Sequence, residues 1–201
     1  MIKNTNNIDI KYLKQILDTY YQISNDTWDE FTKIIQYKEL EKNDYLCRCN
    51  EYQDSFFFVT KGLLRISISD EKGTQYNKAF FNEGTFPGSM VALLKDEPSE
   101  FEIQALENCQ IIQIDFKKYR ELLKNSEDLK LFHISYLEKN WLIKNESKHI
   151  SFVQQDAQER YEEFLENYAN LESRLTQYHI ASHLGITPTQ LSRIRKKNQH
   201  M

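Results

Sequence analysis

The side chains with the clearest chemistry lie close together near the end of the 201-residue chain. Thr187, Thr189, Gln190, Ser192, Arg193, Arg195, Lys196 and Lys197 supply hydroxyls, an amide and cations within a short stretch. These groups suit base edges and phosphates of double-stranded DNA. Arg193 fits a bidentate guanine contact, with Thr189, Gln190 and Ser192 as neighbouring readers. Arg195, Lys196 and Lys197 suit phosphates, as does Thr187 together with a helix N-terminus. Other reactive residue types are scattered. His133, His149, His179, His183 and His200 have no identifiable nucleophile or carboxylate partner, so no catalytic residue is assigned and an enzyme is not expected. His179 and His183 stand four apart, and Cys47 and Cys49 form a Cys-x-Cys, but neither pair has further ligands at sensible spacing. No metal and no cofactor is expected.

The DNA-reading set needs two helices to position it. In residues 176–184, Thr176 can serve as N-cap, Ile180 and Leu184 share one face, and Ala181 permits close helix packing. Gly185 stands at the turn, where a positive φ costs least without a β-carbon. Thr187-Pro188-Thr189-Gln190 then reads as N-cap, first-turn proline and capping-box glutamine, with Leu191 and Ile194 inward. This pattern is a helix-turn-helix. A helical hairpin that only completes a core would not need the double cap together with an Arg-x-Arg-Lys-Lys ending. Charge points the same way. The chain as a whole carries −4, yet residues 173–201 hold five Arg or Lys and no Asp or Glu, while residues 1–172 hold 21 basic and 30 acidic residues. A basic end on an acidic body concentrates phosphate attraction near residues 188–197.

The rest of the chain reads as α+β. Gly62, Gly73 and Gly84 are eleven residues apart, with alternating segments between them: Leu64, Ile66 and Ile68 against Arg65, Ser67 and Ser69. Strands are also expected at residues 56–59, 78–81, 101–105 and 112–114, which together indicate an antiparallel barrel or roll. Helical spacing flanks it: Tyr12 to Tyr20; a helix capped at Asn25-Asp26 and running through Trp28, Phe31, Ile34 and Ile35; a short helix over 116–123; and a long one from Ser126 to about Ser151 carrying Leu131, Ile134, Leu137 and Trp141. The apolar stripe of that long helix is read as a homodimer contact. Residues 152–155 read as a hinge, and Asp156 as the cap of a helix bearing Tyr161, Phe164, Leu165 and Tyr168. Three cysteines without a disulfide framework, no apolar run of membrane-spanning length and no signal-peptide core give a cytoplasmic, membrane-free expectation.

In order and spacing the chain resembles the Crp/Fnr family of bacterial transcription regulators. The resemblance is carried by Phe80-Phe81-Asn82-Glu83-Gly84-Thr85-Phe86-Pro87-Gly88-Ser89, by Ala157-Gln158-Glu159-Arg160-Tyr161, and by Ile180-Ala181-Ser182-His183-Leu184-Gly185-Ile186-Thr187-Pro188. It implies a cyclic-nucleotide-binding-like roll with flanking helices over residues 1–125, a dimerisation helix over 126–151 and a helix-turn-helix domain over 152–201. It also implies RNA polymerase as a further partner. Family members that bind cyclic AMP hold it with a Gly-Glu-Leu and, about a dozen residues on, an Arg-Ser. Those elements fall here on Gly88-Ser89-Met90 and Ser99-Glu100, so the glutamate and the arginine are both replaced by serine. An anionic phosphate would meet a carboxylate in place of a cation, and control by cyclic AMP is not expected. A different small-molecule effector is placed near Phe86, Gly88, Ser89, Met90, Ser99 and Glu100, with an effectorless roll as the alternative. The chain stops a few residues after Lys197, so the C-terminal wing is expected to be reduced. A sensor whose helical end contacts protein, with the roll as ligand site and little DNA affinity, stays open beside the DNA-binding regulator.

Overall fold

The alternating middle of the chain forms seven antiparallel strands in two sheets. In the computed structural model, which describes residues 4–70, 73, 75–143 and 155–198, these are β1 (Ile35–Leu40), β2 (Tyr45–Cys47), β3 (Ser55–Lys61), β4 (Leu64–Ser69), β5 (Gln75–Phe81), β6 (Glu102–Ala105) and β7 (Cys109–Asp115). One sheet has the order β1-β7-β3 and the other β2-β6-β4-β5. Because side chains alternate along a strand, each sheet has an inner and an outer face. Phe57 and Val59 of β3 meet Leu64, Ile66, Ile103 and Ile111 inside the roll. Their neighbours Phe56 and Phe58, with Ile112 and Ile114 of β7, face the helices that cover the first sheet.

Those helices are α1 (Asn4–Asp18), α2 (Asn25–Thr32), α4 (Phe116–Asn125) and α5 (Glu127–Leu137); a short α3 (Met90–Lys95) lies between β5 and β6. Leu13, Leu17, Phe31, Tyr119, Leu129 and Phe132 pack on the outer face of β3 and β7. Asp115 caps α4 by accepting from the Lys118 N–H. Two expectations change here. The helix at residues 25–35 ends at Thr32, capped at its start by Ser24. Ile35 instead begins β1, pairing with Ile114, because Ile35, Tyr37 and their neighbours alternate and find an open edge of β7. The long helix is also irregular. After α5 the backbone turns into a π-helix, Glu138–Ile143, where the Asn140 side chain donates to the Tyr20 hydroxyl at 3.0 Å and to the Tyr136 carbonyl at 3.2 Å. The expected continuation to Ser151 and the hinge at 152–154 lie outside the described residues, as do His149 and His200.

The last part comprises α6 (Ala157–Tyr168), a 3-10 turn (Ala169–Leu171), α7 (Gln177–Leu184) and α8 (Pro188–Asn198). Asp156 and Glu159 form a full capping box at the start of α6. This helical unit shares a core with the roll: Leu63 and Phe80 pack with Tyr161, Phe164, Leu175, Ile180 and Leu191. Phe80 is the meeting point, edge-on to Phe164 at 6.5 Å and to Tyr168 at 5.9 Å, with His183 at 5.2 Å. Among the described residues no helix is long and apolar enough to cross a membrane.

Candidate nucleic-acid interface and ligand cavity

The expected caps set the angle between α7 and α8. Thr176 accepts from the His179 N–H, and Gly185 closes α7 in the left-handed region at φ 67°. Nothing lies within 4 Å of where a Gly185 β-carbon would stand, so conformation and not space selects glycine. At the start of α8 the Gln190 N–H donates to Thr187 Oγ1 at 3.2 Å, and the Thr187 N–H donates back to Gln190 Oε1 at 2.9 Å. Leu191 is fully buried against α7, which fixes the opposite face of α8 outward. Thr187, Thr189, Gln190, Arg193, Lys196 and Lys197 are exposed on that side and Ser192 is half-buried. Gln190 has its oxygen engaged in the cap, leaving its amide nitrogen to reach outward.

Two arginines of the basic segment are used elsewhere. Arg195 points back into the helical unit, donating to the Tyr161 hydroxyl at 3.1 Å and to Glu172 at 3.0 Å. This departs from its expected place among the phosphate contacts, because α6 presents a tyrosine and the following turn a carboxylate on that side of α8. Arg174 reaches the roll and holds Glu83 and Glu107 through four hydrogen bonds of 2.7–3.0 Å. Burial alone would push the Glu83 carboxyl up, but the Arg174 guanidinium and backbone N–H donors, that of Gly62 at 2.8 Å among them, hold it below the usual range. Lys197 donates to Gln158 on α6 at 2.8 Å while remaining exposed.

Helix α7 lies over the outer face of the second sheet, and that face is polar. Arg65 on β4 is only 6% exposed and donates to amide oxygens of Gln104, Asn77 and Gln75 at 2.7–3.1 Å. Asn77 in turn donates to the His179 carbonyl at 3.0 Å, and its backbone N–H to Ser182 Oγ at 3.0 Å. Ser182 donates to the Gln75 carbonyl, and His183 Nδ1 lies 3.0 Å from the Asn77 carbonyl. The His179 ring nitrogen Nδ1 also lies 3.3 Å from Asn77 Nδ2, so both histidine rings meet β5. Burial first, then the charges of Arg65 and Lys42, hold His179 below the ordinary histidine range.

The expected effector residues divide between two places and do not share one pocket. Ser89 and Ser99 are buried and bonded to each other at 3.0 Å, Ser99 Oγ also meeting the Phe101 carbonyl at 2.7 Å. A β-carbon on Gly88 would meet Phe56 Cβ at 2.9 Å, and Glu100 is exposed. Phe86 and Met90 instead line a cavity of about 140 Å3 on the other face of β3, outside the roll. Phe56, Phe132, Tyr136 and Trp141 complete much of its apolar wall. Tyr119, Tyr136, His133 and Arg120 bring polar groups to it, with the Tyr119 hydroxyl 3.0 Å from His133 Nδ1. Burial pushes the Tyr119 and Tyr136 phenols up, and burial with the Arg120 charge pushes His133 down, so all three are neutral near pH 7. Sequence reasoning missed this cavity and Arg65. Arg65 occupies the polar phase of a two-residue alternation, which normally marks solvent; it is buried instead among Gln75, Asn77 and Gln104 on the face over which α7 lies.

Residues 37–126 match the cyclic nucleotide-binding domain family. The chain is similar to the "cAMP-activated global transcriptional regulator Vfr" of Pseudomonas aeruginosa, 30% identical over 80 residues, which are 38% of this chain and 37% of Vfr. It is also similar to the "cAMP-activated global transcriptional regulator CRP" of Salmonella typhimurium, 24% identical over 79 residues, 39% of this chain and 38% of that one. The match thus spans under two fifths of the length of either relative. Among solved structures, a CooA mutant from Carboxydothermus hydrogenoformans superposes with a TM-score of 0.71 at 20% identity, covering 94% of this chain and 84% of the other.

Proposed function

We propose that this chain, which belongs to the Crp/Fnr family, regulates transcription as a homodimer that reads double-stranded DNA through α8, without control by cyclic AMP. The observation that carries this reading is α8 itself: a capped helix with Leu191 buried and Thr189, Gln190, Arg193 and Lys196 exposed together. A helix held this way presents its N-terminal half to a major groove. Pairing is supported by the exposed apolar residues Ile134, Leu137, Trp141, Leu142 and Ile143 along α5 and the π-helix, which a second copy would cover. Two copies would place two α8 helices one turn of DNA apart. RNA polymerase is the further partner that this role implies, and the cytoplasm its compartment.

Independence from cyclic AMP is supported by the mutual hydrogen bond of Ser89 and Ser99 at the two positions where a glutamate and an arginine would hold the nucleotide. The roll interior beside them is filled by Phe57, Val59, Leu64 and Ile103.

The test is selection from a randomised duplex pool with purified, ligand-free protein, alongside Arg193→Ala. A two-fold symmetric site is expected, with the variant losing about 1–3 kcal/mol and its preference at one base pair per half-site. Enrichment without symmetry, or equal loss on selected and random DNA, would overturn the reading. The second reading, a small-molecule sensor with little DNA affinity, is favoured by the aromatic cavity, which lies outside the roll interior expected to hold the ligand.

A further inference from the structure

We propose that the cavity between β3, α3, α4 and α5 binds a small aryl carboxylate, with its ring among Phe56, Phe86, Phe132 and Tyr136 and its carboxylate on Arg120. The site stands on the cavity alone and is tested without DNA.

Size, wall and charge each narrow the occupant. The cavity measures about 140 Å3, and an apolar protein cavity of roughly 150 Å3 admits one benzene ring. Its rings already meet edge to face: Phe86 with Tyr136 at 5.4 Å and Phe56 with Tyr119 at 5.0 Å. A further ring continues that packing, since aromatic edges and faces attract. Arg120 is exposed at the rim, and it has no ion-pair partner among the described residues. No Asp or Glu of the described residues lines the cavity. Of the other polar groups, Tyr119 and His133 bond one another, and the Tyr136 phenol, pushed up by burial, is uncharged. An occupant with one negative charge at the rim therefore complements the site, whereas a cation would meet Arg120 and a polyanion such as a nucleotide would place charge against aromatic walls.

The place also differs from the roll interior. Phe57 and Val59 point into the roll, and Phe56 and Phe58 point away from it, so the cavity lies behind β3 and against α5. An occupant there touches Phe132, Tyr136, Leu137 and Trp141 on α5 and the π-helix.

Trp141 provides the readout. In a Trp28→Phe background it is the remaining tryptophan. The full chain would be titrated with 3-phenylpropionate, its neutral amide and octanoate, following Trp141 emission and heat, with sedimentation at each protein concentration. Saturable binding of 3-phenylpropionate at one per chain is expected. Arg120→Gln should weaken it about three- to fivefold, as loss of an exposed ion pair does, and leave the amide unchanged. Met90→Trp, whose larger ring narrows the cavity, should weaken both. No saturable signal with wild type, equal binding of the carboxylate by wild type and Arg120→Gln, or an emission change that follows subunit association instead of probe would each overturn the proposal. Tighter binding of octanoate than of 3-phenylpropionate would overturn the assignment of a ring.

Discussion

Replacing Arg174 by methionine should loosen the helical unit from the roll by an amount that depends on pH. The guanidinium stands before α7 and reaches Glu83, after β5, and Glu107, between β6 and β7, with four hydrogen bonds of 2.7–3.0 Å. Hydrogen bonds to charged groups contribute about 1.5–3 kcal/mol when shielded, whereas fully exposed pairs give about 0–1 kcal/mol. The three side chains are 27%, 32% and 34% exposed, which places this cluster between the limits. A net loss of about 2 kcal/mol for Arg174→Met follows, including the repulsion of two carboxylates left facing each other. With a urea dependence of about 2 kcal/mol per molar, the midpoint should fall by about 1 M at pH 7. The folded Glu83 carboxyl lies below its unfolded value near 4.3. Its stabilisation is therefore fully present above that value and is lost as pH falls through the folded one. Urea melts of both proteins at pH 7 and pH 3 are the assay. An equal midpoint loss at the two pH values would refute the electrostatic argument and point to packing of the arginine stem.

Three further outcomes follow from particular residues. Gly62→Ala should destabilise by more than Gly185→Ala: both need positive φ, but only at Gly62 would the new carbon also strike Cys109 Sγ at 2.6 Å and the Asn108 carbonyl at 2.8 Å. Gly185→Ala should cost about 1–2 kcal/mol, and a similar loss for both in urea melts would contradict the steric reading. His133 and His179 are lowered chiefly by burial, so the unfolded chain binds more protons and stability should decline as pH drops below about 6.5; His179→Gln should flatten that decline between pH 7 and 5, and an unchanged slope counts against it. Lys196→Ala should weaken binding to selected and random DNA alike and reduce the salt slope by about one per subunit, measured by fluorescence anisotropy over a salt series; a loss confined to the selected site would make Lys196 a base reader.

What could be read from the sequence depended on how local the cause is. The caps at Thr176, Gly185 and Thr187–Gln190 are set by residues within four positions of each other, and their geometry agrees with the pattern. Glycine-spaced alternation likewise marked β3, β4 and β5. Ile35 was misread because Ile34 and Ile35 continue a helical spacing from Trp28 and Phe31, and only pairing with Ile114 makes them strand. The partners that hold Arg65, Arg174 and Arg195 lie between 10 and 91 residues away. Even the nearest, Gln75 for Arg65 and Glu172 for Arg195, meet their arginines through strand pairing and helix packing and not through a local period. The cavity is less legible still, since its wall draws on α1, α2, β3, α3, α4, α5 and the π-helix at once.

That division also changes what the basic end means. A count of five cations in residues 173–201 suggests that all attract phosphate. Arg174 and Arg195 are instead committed to Glu83, Glu107 and Glu172, leaving Arg193, Lys196 and Lys197 exposed on α8. The choice of residue type fits the division. A guanidinium can grip two carboxylates at once in a fixed plane, as Arg174 does, while lysine offers a mobile point charge suited to a phosphate surface. Part of the acidic surplus of the body is thus matched by arginines whose work is to hold α7 and α8 in place. The same unit is fixed a second time by Arg65, Asn77 and Ser182 across the polar face of β4 and β5, and a third time by Phe80 in the shared apolar cluster. Three sets of contacts hold this one placement, so the direction in which α8 presents Arg193 is a property of the roll as much as of the helix-turn-helix.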